Sequence, residues 1–276
     1  TLNDLEVEAL LEGATGRNLP RKDVLEIIGT RDALSFVDEI AAQPGVEVDE
    51  RVIREIHRRV LHGQSPLLTP GEYRRGENRV VGPDGEVVFT TLVSGDVPEL
   101  MRSLAAWLGD DRALPVPAAA ALAHLEFVAV HPFNDGNGRT ARALSRLLLA
   151  RGGYALDGLV SLDAYLDQQR SAYFQAIRGS IGRSHEPGYD ATPFVVFFVG
   201  AIVAAADHLL ARVKGLGQVL ITVRRDVVSG ALPPATLDGL AYAWLNRSIR
   251  PGDYQRITGR TAPTTTRDLA QAVALG

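Results

Sequence analysis

Twelve consecutive residues, His131–Arg142 (HPFNDGNGRTAR), gather the groups of this chain best suited to chemistry. Gly136 and Gly138 allow a tight backbone turn, so the amides of Gly136, Asn137 and Gly138 can converge on one anion. Arg139 and Arg142 are three residues apart and would leave roughly one side of a first helical turn. Two guanidinium forks beside a nest of amides suit a polyphosphate better than a lone carboxylate. Asp135 would repel a naked phosphate, but it fits if it holds a divalent cation such as Mg²⁺ that bridges phosphates. His131 stands where a neutral imidazole could take a proton from an incoming hydroxyl. Taken singly, these residues would pass for a turn and a solvated helix start. Their order within twelve positions specifies phosphoryl or nucleotidyl transfer.

The loop lies between two apolar runs, Ala118–Ala129 and Arg142–Ala150. It would therefore join two buried helices and open into the N-terminus of the second, where the helix dipole favours negative charge. Ala, Leu and Val recur at three- and four-residue spacing through most of the chain. They predict helices at 2–11, 21–29, 32–42, 50–61, 97–108, 117–129, 137–151, 162–177, 192–214, 216–229 and 236–245. Asn78–Thr91 (NRVVGPDGEVVFTT) breaks this pattern with two β-branched runs around Gly-Pro-Asp-Gly and reads as a β-hairpin. Such a hairpin must rest on the helices, since two strands alone are marginal. Near the chain end, DYQRITGRTAPTTTRDLAQAV reads as a short helix, a turn at Gly259 and a second helix opening at Thr264–Thr266.

HPFNDGNGRTAR resembles the signature of the Fic family, His-x-Phe-x-Asp/Glu-Gly-Asn-Gly-Arg-x-x-Arg, at every specified position. LEFVAV before the motif, AYFQAI at Ala172–Ile177 and TPFVVFF at Thr192–Phe198 are also similar to Fic segments. The resemblance implies a mainly α fold: a Fic helical bundle with a small β-hairpin flap, over residues 1–215. Residues 216–276 would form a partial helix-turn-helix resembling that of winged-helix domains. It implies a protein adenylyltransferase that moves AMP from Mg²⁺-bound ATP to a Tyr, Thr or Ser hydroxyl of a target protein. His131 would be the base, Phe133 the structural anchor of the loop and Asp135 the Mg²⁺ ligand. The Gly136–Gly138 amides would form the anion hole with Asn137 near the α-phosphate, while Arg139 and Arg142 would meet the β- and γ-phosphates. The flap at about 78–91, with Phe89 and Thr90, would align the target segment by strand-like pairing.

Many Fic proteins carry an inhibitory helix ending in Ser/Thr-x-x-x-Glu-Gly/Asn, whose glutamate competes for the second motif arginine. Leu11-Glu12-Gly13 resembles that ending, within a helix at about 2–13, although Glu8 stands where Ser or Thr is expected. Glu12 is accordingly the expected brake. Removal of AMP, transfer of UMP, phosphocholine or phosphate, and a nucleotide-sensing DNA-binding regulator are the rival readings that the motif leaves open.

The rest of the sequence narrows the field by exclusion. With no cysteine among 276 residues, disulfides, thiolate nucleophiles and Cys-ligated metals are excluded, which suits a cytoplasmic protein. No His-Glu-x-x-His pattern marks a metalloprotease. The apolar run Pro193–Ala206 ends at Asp207 and falls short of the roughly 18 residues of a membrane span. TLNDLEVEALLEG carries acids where a signal peptide carries bases. The net charge of −4 offers no general pull toward nucleic acid. From Leu216 onward seven Arg face four Asp, a balance of +3 that favours a packing or homodimerising role over DNA binding.

Overall fold

A computed structural model describes residues 21–81, 86–110, 114–154, 162–246 and 248–275. Glu12, the helix at 2–13 and the hairpin tip lie outside the described residues. The chain divides into two units, one through Val203 and one from Ala204.

The first unit is built from helices α1 (Arg21–Ala41), α2 (Glu50–Val60), α3 (Val97–Gly109), α4 (Val116–Val130), α5 (Asn137–Leu149), α6 (Leu162–Gln168) and α7 (Arg170–Ile181). It also holds the first turns of α8 (Thr192–Val228). The Asp49 carboxylate starts α2 by accepting from the amides of Arg51 and Val52 at 2.9 and 3.0 Å, satisfying donors a helix start leaves orphaned. α4 is apolar all round (VPAAAALAHLEFVAV) and is correspondingly buried on several faces. Its Phe127 and Val130 enter one core cluster with Ile53, Ile56, Met101 and Leu144. Its Leu125 and Ala129 enter another with Ile177, Phe194 and Phe198. The loop that follows α4 therefore hangs from a helix packed into both core clusters.

The predicted hairpin is present as β1 (Arg79–Val81) and β2 (Val87–Thr90), antiparallel, with Val80 opposite Phe89 and an irregularity between Val80 and Val81. Thr91 and Asn78 clamp its base: the Thr91 hydroxyl donates to the Asn78 carbonyl at 2.7 Å and accepts from the Asn78 amide at 3.1 Å. On its other edge, the Thr90 amide donates to the Arg183 carbonyl at 2.9 Å.

Two predicted helix breaks are absent. Residues 21–29 and 32–42 belong to one helix, as do 192–214 and 216–229. Gly29 and Gly215, at these positions, mark close approaches. A Cβ on Gly29 would stand 2.3 Å from the Val60 carbonyl, and one on Gly215 would stand 2.5 Å from the Trp244 ring. Conversely, the single helix expected over 162–177 is divided at Gln169, and α5 passes into a π turn, Ala150–Tyr154. Because α8 does not stop at Asp207, it is long and apolar enough to cross a membrane by length and composition, with a window of mean hydropathy 2.2 that is 22% buried. Its Phe194, Phe198 and Ala201 are nevertheless committed to the core.

The second unit ends in α9 (Thr236–Asn246), α10 (Pro251–Thr258) and α11 (Ala262–Leu275). Gly259, left-handed at φ 67°, caps α10 and makes the expected turn. The fully buried Tyr254 donates to Asp268 at 3.3 Å, and Arg260 lies 3.3 Å from the same carboxylate. Thr265 is fully buried, so it faces the core of this unit and is withdrawn from any external ligand.

Candidate active site

The loop between α4 and α5 is framed by two left-handed residues, His131 at φ 49° and Gly136 at φ 76°. Glycine adopts this conformation freely, whereas for an L-residue it costs about 1–2 kcal/mol. The strain at His131 must therefore be overcome by its surroundings. Its amide donates to the Phe127 carbonyl at 3.0 Å, and its carbonyl accepts from Arg74 Nε at 2.8 Å. Arg74, only 2% exposed, also donates to the carbonyls of Gly76 (2.9 Å), Leu92 (2.8 Å) and Val130 (3.4 Å). A cation thus neutralises the carbonyl end of α4 and fixes the backbone beneath His131.

The middle of the loop is pinned from inside. Phe133 is fully buried, and its ring stacks on His57 of α2 with centroids 3.6 Å apart. Asn137 closes the loop on itself: its side-chain carbonyl accepts from the Phe133 amide at 3.0 Å, and its Nδ2 donates to the Phe133 carbonyl at 2.8 Å. His57 Nδ1 accepts from the Gly71 amide at 2.8 Å, which leaves Nε2 to donate to the Asp135 carbonyl at 3.0 Å. Burial lowers the His57 pKa to about 4, so the neutral tautomer this pattern needs is the stable one. Asn78 at the base of the hairpin donates to the Asn134 carbonyl at 3.2 Å.

His131 has its pKa lowered to about 4, with burial the main cause. The Val128 carbonyl pulls the value back in part, although no hydrogen bond of acceptable geometry joins any group to the buried Nδ1. The positive Arg74 depresses it further. An imidazole that stays neutral well below pH 7 can accept a proton throughout the ordinary range.

Asp135 Oδ1 accepts from the Gly136 amide, leaving the half-exposed carboxylate at the rim. Arg139 Nη2 lies 3.8 Å from Asp135, and Nη1 reaches the Val60 carbonyl at 3.5 Å. Arg142 instead lies 2.9 Å from Asp163 of α6. The two arginines leave the same turn but are held by different neighbours. A Cβ added to Gly138 would lie 3.6 Å from Arg142 Nη1, so that guanidinium reaches back over the loop. Of the hairpin residues, Phe89 is buried in the core and Thr90 is exposed.

Sequence reasoning missed the residues that hold the loop in place: His57, Arg74, Asn78 and Asp163. His57 carried a faint signal, a histidine on the apolar face Val52, Ile53, Ile56, Val60 of α2. Nothing local marks Arg74, whose partners other than the Gly76 carbonyl are 18, 56 and 57 residues away.

The Fic/DOC family model matches residues 47–149, a stretch that includes α2, the hairpin, α4, the loop and α5. The chain is similar to the protein adenylyltransferase Fic of Aedes aegypti, 38% identical over 134 residues, 47% of this chain and 25% of that one. It is 33% identical to the protein of the same name from Drosophila virilis over 197 residues, 70% of this chain and 36% of that one. The chain thus spans 25% and 36% of the length of these two curated relatives. Among solved structures it resembles a Fic-domain-containing signalling protein from Bacteroides thetaiotaomicron, with TM-score 0.66 and 28% identity, over 78% of this chain and 82% of that one. A Fic family protein from Desulfovibrio desulfuricans G20 shares the fold over 99% of this chain and 75% of that one, with TM-score 0.61 and 23% identity. With the signature loop set between its two helices as described, residues 47–149 match a Fic/DOC-family domain, and the fold around them resembles that of solved Fic proteins.

Proposed function

We propose that this chain is a protein adenylyltransferase, moving AMP from ATP to a hydroxyl of a target protein. The observation that carries this reading is the neutral, half-buried His131 at one end of a loop whose other end offers glycine amides and two arginines. The naming of its relatives as adenylyltransferases supports the same reading.

His131 takes the proton of the target hydroxyl, and the freed oxygen attacks the α-phosphorus of ATP. The bond to the β-phosphate oxygen breaks, pyrophosphate leaves, and AMP stays on the target as a phosphodiester. The amides of Gly136, Asn137 and Gly138 receive the charge that grows on the α-phosphate. Arg139 takes the β-phosphate and Arg142 the γ-phosphate. The side chain of Asn137 shapes the nest by closing the loop.

Asp135 fits a Mg²⁺ ion that takes most of its ligands from phosphates and water, since it offers one half-exposed carboxylate beside the nest. No group of three or more His, Cys, Asp or Glu that could cage a metal occurs among the described residues. When bound through Asp135, Mg²⁺ would offset the charge of the phosphates. Thr90, exposed on β2, aligns the target segment, and Phe89 holds the strand to the core. Glu12 acts as a brake by competing for Arg142. Homodimerisation through the second unit and a cytoplasmic setting complete the proposal.

ATP labelled at either the α- or the γ-phosphate tests it. With the Glu12→Gly chain, label retained on protein from α-labelled ATP alone is expected. Label retained from γ-labelled ATP would replace adenylylation with phosphorylation.

A further inference from the structure

We infer that Asp163, outside the signature loop, is the positioning residue that pre-orders Arg142 for the terminal phosphate of the nucleotide. This rests on the assignment of Arg142 to that phosphate. The two loop arginines differ in how they are held. Arg139 is 14% exposed and sits between Asp135 and the Val60 carbonyl, so the loop and the end of α2 supply its support. Arg142 has no partner within the loop. Its Nε lies 2.9 Å from Oδ1 of Asp163, 21 residues further on at the start of α6.

The contact leaves the far end of the guanidinium directed to the site. Nη1 is against Gly138, 3.6 Å from the place of a Cβ, which sets it beside the amide nest. The other side of Arg142 faces a buried chain. The Tyr173 hydroxyl donates to His124 Nε2 at 2.7 Å, His124 Nδ1 donates to Ser145 Oγ at 2.9 Å, and Ser145 donates to the Ala141 carbonyl at 2.9 Å. The charges of Arg142 and Asp163 both act on Tyr173, so all three side chains share one electrostatic neighbourhood. Arg142 is thus confined between a carboxylate and a packed phenol, with its terminal nitrogen over the loop.

With side-chain exposures of 31% and 35%, the Arg142–Asp163 pair is too wet to add much to stability. Its value is geometric. A long side chain ordered before binding spares the nucleotide the entropy of ordering it. Asp163 therefore helps ligands that reach Arg142, and does nothing for ligands that do not.

Binding of ATP and of AMP, measured by titration calorimetry in Mg²⁺ on the intact chain, separates the cases. Asp163→Ala should weaken ATP roughly fivefold and leave AMP unchanged. Asp163→Asn, which keeps an oxygen but not the charge, should fall between. Arg142→Ala is the control for the underlying assignment: it should weaken ATP more than Asp163→Ala and also spare AMP. If Arg142→Ala leaves ATP binding intact, the phosphate role of Arg142 fails. If Arg142→Ala weakens ATP while Asp163→Ala does not, only the positioning role fails. Tighter ATP binding in Asp163→Ala would make Asp163 a competitor and overturn the inference. An equal loss for ATP and AMP would mark general damage and overturn it as well.

Discussion

Arg74→Met removes the cation beneath His131 while keeping most of the aliphatic stem. Arg74 is 2% exposed and makes three hydrogen bonds of 2.8–2.9 Å to the carbonyls of His131, Leu92 and Gly76. A hydrogen bond to a charged group contributes about 1.5–3 kcal/mol net, so a simple sum would be about 5–9 kcal/mol. The three share one side chain, and water can enter once it is gone. The expected loss is therefore about 3–5 kcal/mol, as for breaking a buried charged network. Urea unfolding followed by far-ultraviolet circular dichroism measures it. The second consequence is catalytic: without the bond to its carbonyl, His131 is no longer held at φ 49°. A shift of an ångström in a reacting group can lower a rate on the order of 100-fold, read as AMP transfer in the Glu12→Gly background below the unfolding transition. Arg74→Lys, with one of the three bonds within its reach, should be intermediate in both assays. A stability within about 1 kcal/mol of the parent, with transfer unaltered, would refute this account of the loop.

Acid should destabilise the fold through the buried His57 and His124 and the half-buried His131, whose pKa values are lowered, chiefly by desolvation, to about 4, 3 and 4. Their unfolded pKa is about 6.5, so the unfolded chain takes up protons first: stability is full above that value and falls as pH drops toward 4, by about 2 kcal/mol per imidazole at pH 5. Urea midpoints from pH 8 to 5 check this, and a flat series would contradict it. Phe133→Ala removes the ring stacked on His57 and should cost about 3–5 kcal/mol, measured by the same unfolding assay. A loss below about 1 kcal/mol would mean that the ring is not the loop's anchor. Gly136→Ala forces an L-residue to φ 76° and sets a Cβ 3.3 Å from Val60 and Leu61. It should cost about 1–3 kcal/mol and weaken ATP binding, and calorimetry showing parental affinity would argue against the amide nest.

Most of the candidate loop's geometry was legible in the sequence because it is local. His131, Asp135, Gly136 and Arg139 lie within nine residues, and left-handed turns, helix starts and amide nests are written over such distances. The hairpin was legible for the same reason. The supports were not. Arg74, His57 and Asp163 reach the loop across 57, 78 and 21 residues, and their side chains signal nothing until the helices pack. The helix breaks expected after Gly29 and at Gly215 are absent. Read locally, a glycine weakens a helix, but here each one admits a neighbour, and packing outweighs propensity. The buried Phe89 follows the same rule, since alternation marks which strand face is apolar but not which core it enters.

Intact mass after incubation with Mg-ATP tests the central claim most directly, comparing the native chain, Glu12→Gly and the Glu12→Gly, His131→Ala pair. The account predicts the gain of one AMP in Glu12→Gly, little or none in the native chain, and none when His131 is also replaced. An AMP adduct that persists without His131 would contradict the base assignment on which the proposed chemistry rests.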